Sequence, residues 1–186
     1  RLEQAAAFVF PSPPFAENLA GQAVYAACQW GMLVSLAKVG SPEMVGQFSL
    51  AFAITAPVIL FANLQLGAIL ATDARRCYEF GHYLGLRLIT IALALLAIGA
   101  ITYASGLRRQ TALVVLAVGL AKSLEAISEL LYGLLQQHER MDRTGKSSMI
   151  KGLTSLAVFG LAIALTRSLL WGVLGLALGW AVVLLG

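Results

Sequence analysis

The sequence has 186 residues, of which 59% are apolar and 12% charged, with a formal net charge of +4 at pH 7. A typical soluble domain has roughly 45–50% apolar and about 25% charged residues, so the composition excludes a soluble domain. Several apolar runs of about 20 residues, each long enough to cross hydrocarbon as a helix, recur up to the end of the chain. A simple export signal, which has one short apolar core, is therefore excluded as well.

The apolar runs and their breakers predict an all-α protein, a polytopic transmembrane bundle of about six helices. We expect a proline-containing N-terminal segment over residues 1–17, where Pro11, Pro13 and Pro14 interrupt a weak apolar start, and a six-helix bundle over residues 18–186. The predicted spans are Asn18–Lys38, Val45–Leu70, Tyr83–Tyr103, Thr111–Gln136, Met149–Leu165 and Leu169 to the end. The chain opens without a methionine and stops within an apolar run, so we expect a fragment of a longer transporter.

The distribution of Lys and Arg predicts the orientation, because these residues accumulate in cytoplasmic loops. Eight of them fall on the side of the N-terminus: Arg1, Arg75, Arg76, Arg87, Arg140, Arg143, Lys146 and Lys151. Four fall on the other side: Lys38, Arg108, Arg109 and Arg167. The excess predicts a cytoplasmic N-terminus. It also accounts for the positive net charge by topology, so we expect no nucleic-acid partner.

The predicted fourth span carries a stripe of polar side chains. Their spacing of three or four residues places them on one face of a helix: Lys122, Glu125, Glu129, Tyr132 and Gln136. A charged residue at mid-membrane costs roughly 2.5–3.5 kcal/mol on insertion scales, so the three charges need a bundle interior or a hydrated cavity. One interpretation is a substrate or ion pathway, because Glu129 has no cation within one turn of its own helix. The alternative is a local Lys122–Glu125 ion pair that allows insertion, with Glu129 snorkelling toward the cytoplasmic end.

The first two predicted spans also carry polar features. In the first span, side chains spaced 4, 3 and 4 apart share one face: Asn18, Gln22, Tyr25 and Gln29. This face suits either the wall of a cavity that binds hydroxylated ligands or hydrogen bonding between helices. In the second span, Pro57 predicts a kink, which is either a hinge or a packing feature.

Four motifs that mark common enzyme classes are absent from the sequence. It has no glycine-rich phosphate loop, HExxH, Cys/His cluster or serine elbow. The loop acids that a membrane enzyme could use, Asp73 with Glu79 and Glu139 with Asp142, do not have the spacing of a metal site. We therefore expect no enzyme, no metal site and no cofactor, apart from a possible coupling cation such as H⁺ or Na⁺.

Four short stretches occur in order along the chain: NLAGQAVY at Asn18–Tyr25, QWGMLV at Gln29–Val34, GQFSLAFAITAP at Gly46–Pro57 and ATDARR at Ala71–Arg76. Together with Lys122, Glu125 and the segment Tyr132–Gln136, they resemble the N-terminal half of the polysaccharide-biosynthesis flippases. These are the O-antigen and capsule type transporters of the multidrug/oligosaccharidyl-lipid/polysaccharide exporter superfamily. The resemblance rests on the order and spacing of the stretches and covers most of the chain.

The resemblance implies one half of a two-bundle transporter in the bacterial cytoplasmic (inner) membrane. Its ligand would be a lipid-linked oligosaccharide, a polyprenyl-pyrophosphate glycan destined for lipopolysaccharide or capsule, and a glycan polymerase would be a possible partner beside membrane lipids. Cationic side chains of such flippases meet the pyrophosphate or acidic sugars, and Lys122 is the matching candidate. One departure is Gly67, where the resemblance implies a basic residue.

Three other hypotheses stay open at this stage. A multidrug or cation antiporter of the same superfamily would favour acidic residues without a neighbouring lysine, and Lys122 argues against it. A membrane-embedded glycosyltransferase would need paired acids at the membrane surface. A structural or assembly protein would show no dependence on a ligand.

Overall fold

The computed structural model describes residues 13–72, 80–137 and 141–185. Within these ranges the chain consists of helices joined by short turns, without a strand. The helices are α1 (Pro13–Val39), α2 (Pro42–Asn63), α3 (Leu66–Thr72), α4 (Phe80–Ala104), α5 (Arg109–Gln137), α6 (Met141–Thr166) and α7 (Leu169–Leu185). Because α2 and α3 form one interrupted span, these elements correspond to the six predicted helices. The prediction of an all-α transmembrane bundle is confirmed.

The first helix begins earlier than the sequence predicts. It starts at Pro13 and not at Asn18. The first turn of a helix has N–H groups without intrahelical partners, so it tolerates proline, which lacks one. The expected boundary between an N-terminal segment and the bundle therefore falls inside α1, and residues 1–12 lie outside the described part of the chain.

The sixth helix also begins early, at Met141 and not at Met149. Its first two turns are polar, which is why the sequence predicts a loop there. Gly145 packs this polar segment against α1, where a Cβ on Gly145 would lie 2.5 Å from the carbonyl oxygen of Glu17. Small residues allow such close approach of two helix backbones, so tertiary contact stabilises a helix that composition alone disfavours.

The second span is interrupted near its end, beyond Pro57. Pro57 lies within α2, which continues to Asn63. Leu64 and Gln65 then have φ angles of 46° and 50°, a left-handed conformation that residues other than glycine seldom adopt. These two residues separate α2 from α3. The role of Pro57 as a hinge stays a prediction.

Among the described residues, four segments are long and apolar enough to cross a membrane: Pro42–Ala71, Phe80–Ala104, Arg109–Gln136 and Arg143–Thr166. The last helix contributes a shorter apolar segment, Leu169–Trp180, and the first helix carries the polar stripe that lowers its hydropathy. Large apolar side chains cover the outer surface, among them Phe61, Tyr103 and Leu165, which are 79%, 90% and 75% exposed. Such a surface suits lipid and not water, as expected for a multi-pass membrane protein.

The fifth helix is the centre of the bundle. In its most apolar stretch 61% of the residues are buried, against 22–28% in the other three long spans. It contacts α2, α3, α4, α6 and α7. Its first half contributes Val115, Val118 and Ala121 to the main apolar core, which also contains Ile98 of α4 and Phe159 of α6.

Alternate connections meet at the same end of the bundle. Ser41 and Arg167, from two different turns, line one cavity with Gln110, at the start of α5. At the other end, Lys146 Nζ of α6 lies 3.9 Å from Glu17 Oε2 of α1. The helices therefore run alternately up and down, as the order of the predicted spans requires.

Two of the positive charges assigned to cytoplasmic loops lie elsewhere. Arg87 is inside α4 and 1% exposed, and Lys151 is inside α6 and 3% exposed. Charges buried in the bundle do not report the side of the membrane, so the count of Lys and Arg becomes six against four. The orientation with the N-terminus inside stays a prediction, supported by a smaller excess.

Candidate functional site

A buried cluster of charges lies where α1, α5 and α6 meet. Lys122 Nζ lies 2.6 Å from Glu125 Oε2, and Lys151 Nζ lies 4.0 Å from Glu125 Oε1. The hydroxyl of Tyr25 donates a hydrogen bond to the same Oε1, and Gln29 Nε2 donates to that hydroxyl at 2.7 Å. Glu125 thus joins three helices through one carboxylate, and we call Glu125 with its partners Lys122, Lys151 and Tyr25 the charged centre.

Aromatic rings surround the two lysines of the charged centre. Lys122 Nζ lies 5.2 Å from the ring centroid of Phe52 and 5.8 Å from that of Trp180. Lys151 Nζ lies 4.8 Å from the ring of Trp180 and 5.3 Å from that of Tyr25. Aromatic faces attract cations, most strongly where water is excluded. These rings help to hold two ammonium groups at a depth where each would otherwise be costly.

Lys122 lies thirteen residues after the start of α5 at Arg109, roughly 20 Å at 1.5 Å per residue. This position is the middle of a 29-residue helix. The local Lys122–Glu125 ion pair that the structural alternative predicts is present. Contact between Lys122 and a substrate stays a prediction.

A second group of polar side chains links α4, α2 and α5. Arg87 Nη1 donates to the carbonyl oxygen of Asn63 at 3.0 Å and to its Oδ1 at 2.7 Å. Asn63 Nδ2 in turn donates to Glu129 Oε2 at 3.1 Å. Because Leu64 and Gln65 end α2, the carbonyl of Asn63 lacks its helical partner, and the Arg87 cation caps it.

A polar cleft of about 420 Å³ adjoins this second group. Its lining includes side chains from α1, α2, α4 and α5: Gln22, Asn63, Arg87, Glu129, Tyr132 and Gln136. A smaller recess of about 150 Å³ shares Asn63 and Glu129 with the cleft and extends to Lys122 and Glu125. The five members of the predicted stripe on α5 therefore all line the cleft or its recess. From here on, the name polar cleft includes the recess.

For the predicted stripe on α1, the two interpretations are a cavity wall and hydrogen bonding between helices, and its residues differ in which one they fit. Tyr25 and Gln29 hydrogen-bond within the charged centre. Gln22 Nε2 lies 3.5 Å from Ser148 Oγ of α6 and also lines the polar cleft. Asn18 is not among the residues that line the cleft, and its Oδ1 is buried without a partner among the described residues. The stripe thus serves mainly to join helices, with Gln22 at the edge of the cleft.

Sequence reasoning missed two charged residues of this site, Arg87 and Lys151. A signal for Lys151 exists, because Thr144, Ser148, Lys151 and Ser155 are spaced 4, 3 and 4 apart and all are buried. That stripe is hidden once the helix is assumed to begin at Met149. Arg87 has no comparable pattern, since its partner Asn63 lies in another helix.

The structure explains why position 67 is a glycine and not the basic residue that the resemblance implies. A Cβ on Gly133 would lie 2.5 Å from the carbonyl oxygen of Gly67, and a Cβ on Gly67 would lie 3.0 Å from that of Glu129. The two glycines allow α3 and α5 to touch by their backbones. A long basic side chain at position 67 would separate them, and Arg87 places a guanidinium in the same cleft from α4.

The described site presents groups that can bind polar or charged ligands. Among the described residues, no three His, Cys, Asp or Glu side chains come together as metal ligands. Asp73, Glu79 and Glu139, which the glycosyltransferase hypothesis uses, lie outside the described residues, and the side chain of Asp142 is not described. What the described site offers is amides, hydroxyls and charges along one path.

No protein-family model matches the chain, and no solved structure matches it. Among curated proteins, the chain is 28% identical over 144 residues to the capsular polysaccharide biosynthesis protein CapF of Staphylococcus aureus. The match covers 77% of this chain and 35% of the relative, so the chain corresponds to about a third of the relative's length. The similarity supports a relation to polysaccharide biosynthesis.

Proposed function

We propose that this chain is part of a flippase that moves polyprenyl-pyrophosphate glycan precursors across the bacterial cytoplasmic membrane. The observation that carries the proposal is a polar cleft inside the helical bundle of a chain similar to a capsular polysaccharide biosynthesis protein. A glycan carrier must offer hydrogen-bonding groups within hydrocarbon, and a bundle interior is where they are tolerated. The proposal involves no covalent chemistry and no cofactor beyond a coupling cation.

In this proposal the side chains of the polar cleft and the charged centre have different roles. Gln22, Tyr132 and Gln136 hydrogen-bond to sugar hydroxyls. Cationic side chains attract the pyrophosphate, Lys122 from the recess and Arg87 from α4. Glu125 balances the lysines of the charged centre. The lipid tail stays in the membrane, and a glycan polymerase takes the product on the far side.

A cation antiporter is the less favoured transport function. The charged centre and the polar cleft contain three cations, Lys122, Lys151 and Arg87, and two carboxylates, Glu125 and Glu129. With the carboxylates ionised the site carries one excess positive charge. Such a site repels a cationic ligand at short range and attracts an anionic one.

The test is complementation of a strain that lacks its flippase, with the full-length protein expressed at measured membrane abundance. We expect surface glycan to return and the lipid-linked precursor to stop accumulating. An unchanged glycan with normal abundance would reject the flippase, and drug resistance without glycan would favour the antiporter. If deletion of this protein removes other assembly components from the membrane and the lipid-linked precursor does not accumulate, an assembly protein is favoured.

Orientation is tested with single-cysteine variants at the two ends of the bundle. Ser105 lies in the exposed turn after α4, and Glu17 lies exposed near the start of α1. We propose that Ser105→Cys reacts with an impermeant thiol reagent from the periplasmic side, and that Glu17→Cys reacts only after permeabilisation. Reversed reactivity would place the N-terminus outside.

A further inference from the structure

Arg87 is the buried cation of the site without an acidic partner. It is 1% exposed, yet among the described residues no carboxylate lies within ion-pair distance of it. Both lysines of the charged centre, in contrast, share Glu125. Buried charges are normally paired, so an arginine held only by neutral oxygens is a candidate for a charged ligand.

The hydrogen bonds of Arg87 leave part of its guanidinium unused. Nη1 makes both contacts with Asn63, to the carbonyl oxygen and to Oδ1. Nε is buried and has no hydrogen-bond partner in the described part of the chain. Unsatisfied buried donors are rare in native structures and call for an explanation. A planar fork of donors matches the oxygens of a phosphate, which can accept two hydrogen bonds from it at once.

Asn63 occupies the position from which such a ligand would approach. It lines the polar cleft between Arg87 and Glu129, accepting from the first and donating to the second at 3.1 Å. The Glu129 carboxylate is the nearest anionic group of the cleft, and it acts electrostatically on Arg87 from the far side of Asn63. An oxyanion that replaces Asn63 Oδ1 on Arg87 would meet repulsion from Glu129.

We propose that Arg87 is the oxyanion-binding residue of the polar cleft, that Asn63 is the neutral partner it exchanges for the ligand, and that Glu129 is an internal competitor which limits the affinity. The ligand class is a phosphate or diphosphate. Its identification as the pyrophosphate of a lipid-linked glycan rests on the proposed function. Binding of an oxyanion at Arg87 does not.

The experiment measures binding of radiolabelled inorganic pyrophosphate to the full-length protein in nanodiscs of phosphatidylcholine. Arg87→Gln should weaken binding by roughly tenfold or more, and Arg87→Lys by less, because lysine keeps the charge but loses the fork. Glu129→Gln should tighten binding several-fold, since it removes the competing charge. Arg108→Gln, in the turn at the opposite end of the bundle, is the matched control and should bind like the wild type.

Four results would overturn the proposal: a wild-type protein that does not bind pyrophosphate, wild-type affinity in Arg87→Gln, loss of binding in Lys122→Gln with Arg87→Gln unaffected, or weaker binding in Glu129→Gln. If Arg87→Gln does not fold, because Arg87 also caps α2, the Glu129→Gln result decides the question. Competition by added phosphatidylglycerol would keep the oxyanion site and assign it to a lipid headgroup phosphate. Its absence would assign the site to the diphosphate of a substrate.

The glycan assay separates this proposal from the proposed function. If the wild type and Arg87→Gln restore surface glycan equally well, the flippase proposal stands and the Arg87 site is rejected. If the wild type binds pyrophosphate through Arg87 but restores no surface glycan, the Arg87 site stands and the flippase proposal is rejected.

Discussion

The two halves of α5 have the same secondary structure and opposite surroundings. The first half, through Val115, Val118 and Ala121, packs into an apolar core. The second half, from Lys122 to Gln136, lines the polar cleft and carries all the acidic side chains of the helix. Both halves are held inside the bundle, so the difference is one of chemistry and not of depth alone. The apolar half packs the bundle, and we propose that the polar half, which also holds the charged centre together, binds a ligand.

The largest effect on stability is expected from the charged centre, at the border between the two halves. Glu125→Gln leaves the buried Lys151 and the partly buried Lys122 without their shared acid. Breaking a buried ion pair costs about 3–5 kcal/mol. We therefore expect a marked fall in the apparent melting temperature of the purified full-length protein.

The matched control is Glu17→Gln, which also removes an acid paired with a lysine. Glu17 faces Lys146 at the exposed end of the bundle, at 3.9 Å. Exposed pairs contribute little, so its melting temperature should stay near the wild-type value. Equal melting temperatures for the two variants would show that the charged centre is solvated and not a buried link between helices.

A smaller effect is expected where the polar half of α5 meets α3. Gly133→Ala would place a Cβ 2.5 Å from the carbonyl oxygen of Gly67, so the two helices must separate. Overpacking of this kind costs about 1–3 kcal/mol. Gly160→Ala is the control, because a Cβ on Gly160 meets no atom within 4 Å. Thermal unfolding in the same detergent compares them, and equal melting temperatures would contradict the close approach of α3 and α5.

The smallest effect concerns the break between α2 and α3. Leu64 has a φ of 46° and is 52% exposed, so Leu64→Gly removes backbone strain and little buried surface. Left-handed backbone costs a residue with a Cβ about 1–2 kcal/mol, and we expect the variant to be slightly more stable than the wild type. In a continuous helix the same change would cost roughly 1 kcal/mol. A lower melting temperature would therefore contradict the left-handed conformation of Leu64.

The polar half of α5 could be predicted from sequence because helical periodicity keeps its members together: a spacing of three or four residues needs no knowledge of the other helices. The partners on other helices could not. Arg87 and Lys151 lie near the expected ends of their spans, where the usual interpretation of a positive charge is topology. Only the packing of α4 beside α2 and of α6 beside α5 brings them to Asn63 and Glu125.

Backbone features likewise differ in whether the local sequence predicts them. The turn before α2 follows local rules, since Ser41 accepts a hydrogen bond from the N–H of Met44 and Pro42 occupies the first turn. The break at Leu64 and Gln65 contains neither glycine nor proline, so local rules give no signal for it. Long-range contacts, including the cap from Arg87, hold it in place.

The central claim is that the polar half of α5 acts on a ligand, and Glu129 tests it most directly because it is exposed to the cleft and outside the charged centre. The measurement is surface glycan in the complemented flippase-null strain, at matched membrane abundance, for Glu129→Gln and for the control Glu43→Gln at the other end of the bundle. We predict that Glu129→Gln keeps wild-type abundance and lowers glycan several-fold, while Glu43→Gln changes neither. Normal glycan in Glu129→Gln would contradict this claim and favour the alternative, in which Glu129 only snorkels toward the cytoplasmic end of its helix.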